Sequence, residues 1–144
     1  MGEVTLSSDG PVAWVKISNV ARHNAMSATM WLQLKAFVDQ VQSDDTLRVI
    51  VLHGDGDKAF VSGADISEFG DRAGSKEASD AYSASVSAAE NALVQSAKPV
   101  IAMINGFCMG GGLGLAVSSD LRYGANDARF RMPAARLGLG YGLD

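Results

Sequence analysis

Two glycine-bearing segments are the parts of this 144-residue sequence best suited to chemistry. One is residues 62–66 (SGADI), and the other is residues 105–114 (NGFCMGGGLG). Each follows an apolar run typical of a strand, and small residues leave backbone N–H groups accessible to a ligand. Two N–H groups that converge on a carbonyl oxygen stabilise the negative charge that develops there in the transition state. The sequence therefore predicts an active site built from main chain.

Several other kinds of site are disfavoured. Cys108 is the single cysteine, and only His23 and His53 accompany it, so there is no intrachain disulfide and no known zinc spacing. Cys108 is expected to be a small buried apolar side chain rather than a nucleophile. Residues 54–59 (GDGDKA) match a dinucleotide fingerprint, but a strand-like segment follows and two aspartates would repel a pyrophosphate. We interpret that segment as a turn.

Composition indicates an ordinary globular protein with a single domain over residues 1–144. Hydrophobic residues make up 47% of the sequence and charged residues 19%, and the net charge is −4. This acidic balance disfavours nucleic acid and an anionic membrane as main partners. No secretory signal and no apolar run of about 18 residues is visible, so a cytoplasmic location is expected.

Strands and helices must bring the two segments together. Apolar periodicity predicts strand, strand, helix in a pattern repeated about four times, which makes the fold class α/β. Residues 137–144 form a glycine-rich stretch with no element after it, so a truncated chain is expected. The predicted strands are 4–6, 12–17, 48–52, 59–61, 100–104, 121–123 and one at Phe130; the predicted helices are Ala28–Gln42 with Ser27 as N-cap, one from about Glu77 to Ala97, and one from Gly110 or Gly111.

The two glycine segments, together with several others, resemble segments of the crotonase superfamily, the enoyl-CoA hydratase/isomerase family. The matching segments occur in the same order as in that family and run over nearly the whole chain. The resemblance implies a spiral of strand–strand–helix units. It also implies a C-terminal helical region, missing here, through which members pack as homotrimers or hexamers. The matching positions are 24–26, 58–66, 98–102, 105–116, Asp120, Phe130, Pro133 and 137–138.

The resemblance also implies a site. Ala64 and Gly111 would supply the oxyanion-hole N–H groups that hold a coenzyme A thioester oxygen and stabilise an enolate-like intermediate. No permanently bound cofactor or metal is implied. Arg22 or His23 would lie near a CoA phosphate, or Arg22 would be an exposed charge without a partner. The substrate-contacting residues implied are Arg22, Ala25, Ser62, Ala64, Asp65, Ile66, Phe107, Gly111, Gly114, Pro133, Ala134 and Leu139.

The sequence departs from the family's hydratases at both catalytic glutamates, which fall on Gly114 and Ala134. Neither residue can transfer a proton or orient water, so a hydratase of the usual mechanism is doubtful. A lyase or isomerase of this family is still the leading expectation. One alternative is thioester hydrolysis, dehalogenation or decarboxylation that uses Asp144 or a residue beyond the chain, although Asp144 is also explained as a solvent-facing carboxylate. The other is a non-catalytic acyl-CoA-binding subunit.

A few further polar residues have weaker assignments. Arg136 and Tyr141 are minor candidates for the pocket rim. Asp65 and Asp120 match family positions that cap or pair rather than react. Glu68 is interpreted as a solvated carboxylate at a helix start, although it could reach the pocket mouth.

Overall fold

Strands and helices alternate along residues 2–68 and 75–138, which are the parts that the computed structural model describes. Within these ranges the chain completes three strand–strand–helix units and adds a fourth pair of strands, which confirms the predicted order. The strands are β1 (Glu3–Asp9), β2 (Val12–Ser18), β3 (Val49–Gly54), β4 (Ala59–Val61), β5 (Val100–Ile104), β6 (Phe107–Met109), β7 (Leu121–Gly124) and β8 (Arg129–Arg131); the helices are α1 (Ala28–Gln42), α2 (Lys76–Val94) and α3 (Gly111–Val117).

Two sheets share these strands. The larger sheet has the order β1-β2-β3-β5-β7, in which β1 and β2 pair antiparallel and the other neighbours are parallel. The smaller sheet has the order β4-β6-β8 and is parallel throughout. From β3 onward, each successive pair therefore gives one strand to each sheet. This arrangement places the carboxyl ends of β4 and β6 side by side.

The first helix and the second pack together over the sheet. Ser27 caps α1 through its Oγ, which accepts from the N–H of Met30 at 3.3 Å, as predicted. The predicted apolar faces of both helices lie in one core with β2, β3 and β5. The largest fully buried side chains are Trp31, Phe60, Ile17, Met26, Met30, Leu34, Ile50, Leu52, Leu93 and Leu115.

Several element bounds differ from the prediction, and one strand was not predicted. Helix α2 ends at Val94 rather than Ala97, and Gln95 is its C-cap. The hydroxyl of Ser96 accepts from the N–H of Lys98 and donates to its carbonyl, and this local turn replaces the last helical residues before Pro99. Strand β6 was not predicted, because its three residues lie between Gly106 and Gly110 and give no periodic signal.

Asn24 holds together the loop between β2 and α1. It is 1% exposed and adopts φ +57°, next to His23 at φ +51°. Its Nδ2 donates to the carbonyls of Asp55 (2.9 Å) and Ala59 (2.8 Å), and its Oδ1 accepts from the N–H of Asn19 (3.0 Å). One side chain thus ties the loop that carries Arg22 and Ala25 to the start of β4.

We expect Asn24→Ala to lower the free energy of unfolding by about 2–4 kcal/mol, because it leaves buried backbone groups unpaired and strains a left-handed position. Asn24→Gly removes the same hydrogen bonds without the strain, so it is expected to cost less. Urea denaturation of both variants measures the difference. Loss of less than about 1 kcal/mol in both would contradict this role.

Candidate functional site

The two glycine turns meet at one place in the fold. Gly63 follows β4 at φ +119°, and Gly110 follows β6 at φ +51°. A β-carbon built on Gly110 would lie 3.7 Å from the Cα of Gly63, and one built on Gly63 would lie 3.4 Å from the carbonyl oxygen of Met109. The turns are therefore in van der Waals contact, which brings Ala64 next to Gly111.

The N–H of Ala64 takes no part in the parallel β-bridge that this residue forms with Met26. Met26 donates its N–H to Gly63 and accepts the N–H of Asp65, both at 2.8 Å. This parallel bridge uses the groups on either side of Ala64 and leaves the N–H of Ala64 outside it. The N–H of Gly111, the first residue of α3, precedes any intrahelical partner. Neither N–H bonds to another described residue.

A cavity of about 410 Å³ opens beside Ala64, and all six of its lining residues were predicted as substrate contacts. They come from the loop before α1 and from the segment after β4. A larger cavity of about 530 Å³ lies at the carboxyl ends of β3, β5 and β7, and its lining includes neither Ala64 nor Gly111. The lining residues of the smaller cavity are Arg22, Ala25, Ser62, Ala64, Asp65 and Ile66.

Arg22 is not the unpartnered charge that one reading of the sequence allowed. Its Nη1 pairs with Oδ1 of Asp65 at 2.5 Å, and 49% of its side chain is still exposed. Burial alone would raise the pKa of Asp65, but hydrogen bonds from Ser67 and the Arg22 guanidinium outweigh it and lower that pKa. Asp65 therefore pairs, as predicted, and holds Arg22 at the cavity wall.

Two other carboxylates also serve the backbone. Glu68 accepts the N–H of Ala28 at 3.1 Å, so it stabilises the start of α1 rather than standing free in solvent. Asp120 accepts the N–H of Val100 at 2.7 Å, in keeping with the structural role predicted for it.

The remaining predicted contacts are placed as follows. Phe107 packs edge-to-face on His23, with 5.7 Å between ring centres. Ala134 is 8% exposed and starts a short 3-10 helix after Pro133. Cys108 is buried as predicted, and burial raises the pKa of its thiol to about 11. Leu139, Tyr141 and Asp144 lie outside the described residues.

Trp31 and Glu90 are neighbours of the glycine helix that the sequence analysis missed. A β-carbon on Gly111 would lie 3.0 Å from the Trp31 ring, whose Nε1 donates to the hydroxyl of Tyr82 at 3.0 Å. A β-carbon on Gly114 would lie 2.2 Å from Oε1 of Glu90. A signal for Glu90 was present, because Tyr82, Val86 and Glu90 follow one another at intervals of four, on one helix face.

The chain belongs to the enoyl-CoA hydratase/isomerase family, whose sequence profile matches residues 7–142. The short-chain-enoyl-CoA hydratase of Clostridium acetobutylicum is 32% identical over 143 residues, which cover 96% of this chain and 52% of the relative. A crystal structure of an enoyl-CoA hydratase/isomerase family protein from Hyphomonas neptunium is 35% identical, with a TM-score of 0.93 over 97% of this chain and 53% of that chain.

Family members with other activities also match. A (7aS)-7a-methyl-1,5-dioxo-2,3,5,6,7,7a-hexahydro-1H-indene-carboxyl-CoA hydrolase of Mycobacterium tuberculosis is 35% identical over 115 residues, or 80% of this chain and 46% of the relative. The chain spans about half the length of the curated relatives it matches. The family is therefore shared by hydratases and hydrolases.

Two features are absent from residues 2–68 and 75–138. No helix there has the length and apolar character needed to cross a membrane. No group of three or more His, Cys, Asp or Glu side chains is placed to hold a metal ion in the same ranges.

Proposed function

We propose that the protein processes acyl-CoA thioesters and stabilises an enolate-like intermediate with the N–H groups of Ala64 and Gly111. The observation that carries this proposal is the contact between the turns at Gly63 and Gly110. Each turn is followed by an N–H with no partner among the described residues, and a cavity opens beside Ala64. Donors fixed by the backbone need no reorganisation when charge develops on the thioester oxygen.

The CoA portion is assigned to the cavity lined by Arg22, Ala25 and residues 62–66. Arg22 is the cationic group of this lining, and half of its side chain is free to meet a phosphate. Asp65 fixes the guanidinium in position, so less side-chain entropy is lost when an anion binds. A charge-assisted hydrogen bond to phosphate would add affinity there.

Two reaction classes share this proposal. Hydration or double-bond shift of an enoyl-CoA fits the hydratases among the relatives, and hydrolysis fits the hydrolase. Both need negative charge held on the thioester oxygen. Hydration and double-bond shift pass through an enolate-like intermediate, and hydrolysis passes through a tetrahedral one. In either case a residue other than Gly114 or Ala134 must move the proton.

The test is acyl-CoA binding and turnover by the full-length protein. Calorimetry with butyryl-CoA should detect binding, and a crotonyl-CoA hydration assay together with thioester hydrolysis should detect multiple turnovers of at least one substrate. Absence of both binding and turnover would reject the proposal. Binding without turnover across a panel of acyl-CoA esters would favour a non-catalytic subunit.

Arg22→Ala is expected to weaken butyryl-CoA binding by about tenfold, the loss of one charge-assisted hydrogen bond. Arg48→Ala is the matched control, because it removes an exposed arginine just before β3, outside the cavity. Calorimetry at low salt compares the two. Equal affinities for both variants would exclude Arg22 from the phosphate site.

A further inference from the structure

Glu90 is a carboxylate of α2 that contacts the glycine helix α3. It lies on the face of α2 that packs against α3, and its side chain is half-buried. It has no hydrogen-bond or ion-pair partner among residues 2–68 and 75–138. A charged group that is partly desolvated and unpaired is costly to keep, so a role beyond stability is indicated.

The glycine helix is shaped around this carboxylate. The space that a side chain at position 114 would enter is occupied by Oε1 of Glu90, 2.2 Å from the built β-carbon. Side chains of a helix tilt toward its N-terminus, so this space lies over the turn that begins at Gly111. Positions 111 and 114 lie on one face at a separation on the order of 5–6 Å. The Glu90 carboxyl group is therefore about one helical turn from the free N–H of Gly111.

We propose that Glu90 is the proton-transfer residue of this site, reaching it from α2 across the open face of Gly114. The inference rests on the proposed function. The Glu90 carboxylate takes a proton from Cα of the bound thioester, and the electron pair of that C–H bond moves onto the thioester oxygen held by Ala64 and Gly111. The same carboxyl then returns a proton to the enolate, at Cα or, where a double bond is conjugated with it, at Cγ.

The surroundings suit this chemistry. Desolvation raises the pKa of Glu90. The raised pKa lies closer to the pH at which a general base must accept its proton. The helices packed against α2 add no free charge: α3 has no titratable side chain, and on α1 Lys35 and Asp39 pair with each other at 2.5 Å. On α2 itself, Tyr82 accepts a hydrogen bond from Trp31.

The test measures exchange of the Cα protons of butyryl-CoA in D₂O by mass spectrometry, a readout that does not depend on the overall reaction. Glu90→Gln should lower the exchange rate at least about 100-fold, the lower end of general-base effects. Glu77→Gln is the matched control, because it makes the same change at an exposed position of the same helix. It should retain the wild-type rate within about threefold.

Two further measurements separate chemistry from folding. The wild-type exchange rate should fall with decreasing pH through the raised pKa of Glu90, and this limb should vanish in Glu90→Gln. Because Glu90 has a raised pKa in the folded state, its ionisation makes folding less favourable as pH rises above its unfolded value. Glu90→Gln should therefore be at least as stable as wild type at pH 7, which excludes misfolding as the cause of its inactivity.

Moving the carboxyl group tests its location. Glu90→Ala combined with Gly114→Glu places an acid in the space that Glu90 vacates, and should exchange at least about tenfold faster than Glu90→Ala alone. A folded double variant with no gain would overturn this location for proton transfer.

The failures of the two proposals are distinguishable. Wild-type exchange that persists in Glu90→Gln overturns the assignment of Glu90 and leaves the proposed function standing. Wild-type protein that neither binds nor exchanges butyryl-CoA overturns the proposed function, and the role of Glu90 with it.

Discussion

Gly111→Pro is expected to lower turnover of an accepted acyl-CoA by about 10²–10³-fold, the usual cost of one oxyanion-hole donor. Proline lacks the N–H that the proposal assigns to the thioester oxygen, while the N–H of Ala64 is retained. Binding of the CoA portion should change little, because Gly111 is not part of the cavity that holds it. The loss should therefore appear in kcat more than in KM.

The location of Gly111 makes this substitution informative. Gly110 is the N-cap of α3, so Gly111 is its first residue, where proline is well tolerated because that N–H has no helical partner. Any side chain there approaches the Trp31 ring, since a β-carbon would lie 3.0 Å from it. Gly111→Ala is the matched control, because it introduces the same crowding and keeps the N–H.

Steady-state kinetics of the two variants, with circular dichroism to verify folding, measure the effect. Alanine should retain at least about ten times the kcat of proline. Equal kcat values for folded alanine and proline variants would show that the N–H of Gly111 takes no part in the chemistry.

Much of the framework was predictable from local sequence. Ser27 and the apolar positions that follow it gave the bounds of α1 correctly, because the cap and the periodicity agree there. The two glycine turns were expected to meet because each follows an apolar strand, at 59–61 and at 100–104, and parallel strands bring their carboxyl ends to one edge of a sheet. The turns at Gly63 and Gly110 do meet. They meet through the pairing of β4 with β6, which was not predicted, because β4 and β5 belong to different sheets.

Contacts between residues far apart in the chain could not be predicted from local sequence. The pairing of Arg22 with Asp65 joins residues 43 positions apart, and neither residue type specifies the partner. Strand β6 is defined by pairing with β4 and β8, not by its own three residues. The interval of four residues from Tyr82 and Val86 places Glu90 on the packed face of α2, but local sequence does not show that Gly114, 24 positions later, leaves room for its carboxylate. Long-range packing decides these features, and a single sequence does not encode it in a periodic form.

Two alanine substitutions within one turn of α3 should differ strongly in their effect on stability. Gly112→Ala is expected to lower the free energy of unfolding by about 3 kcal/mol or more, whereas Gly114→Ala should change it by less than about 1 kcal/mol. Both replace a helical glycine with the best helix former, a gain of about 1 kcal/mol in isolation. The difference between them must therefore come from what the new methyl group meets.

At position 112 the methyl group would lie 2.2 Å from the carbonyl oxygen of Val61 and 2.8 Å from its Cβ. These are backbone and buried atoms of β4, so α3 must move away from the sheet, and overpacking of this kind is destabilising. At position 114 the nearest atom is Oε1 at the end of the flexible Glu90 side chain, which can rotate aside. Urea denaturation monitored by tryptophan fluorescence compares the two variants. Equal stability would mean that Gly112 does not fix the approach of α3 to β4, and therefore does not hold the N–H of Gly111 beside Ala64.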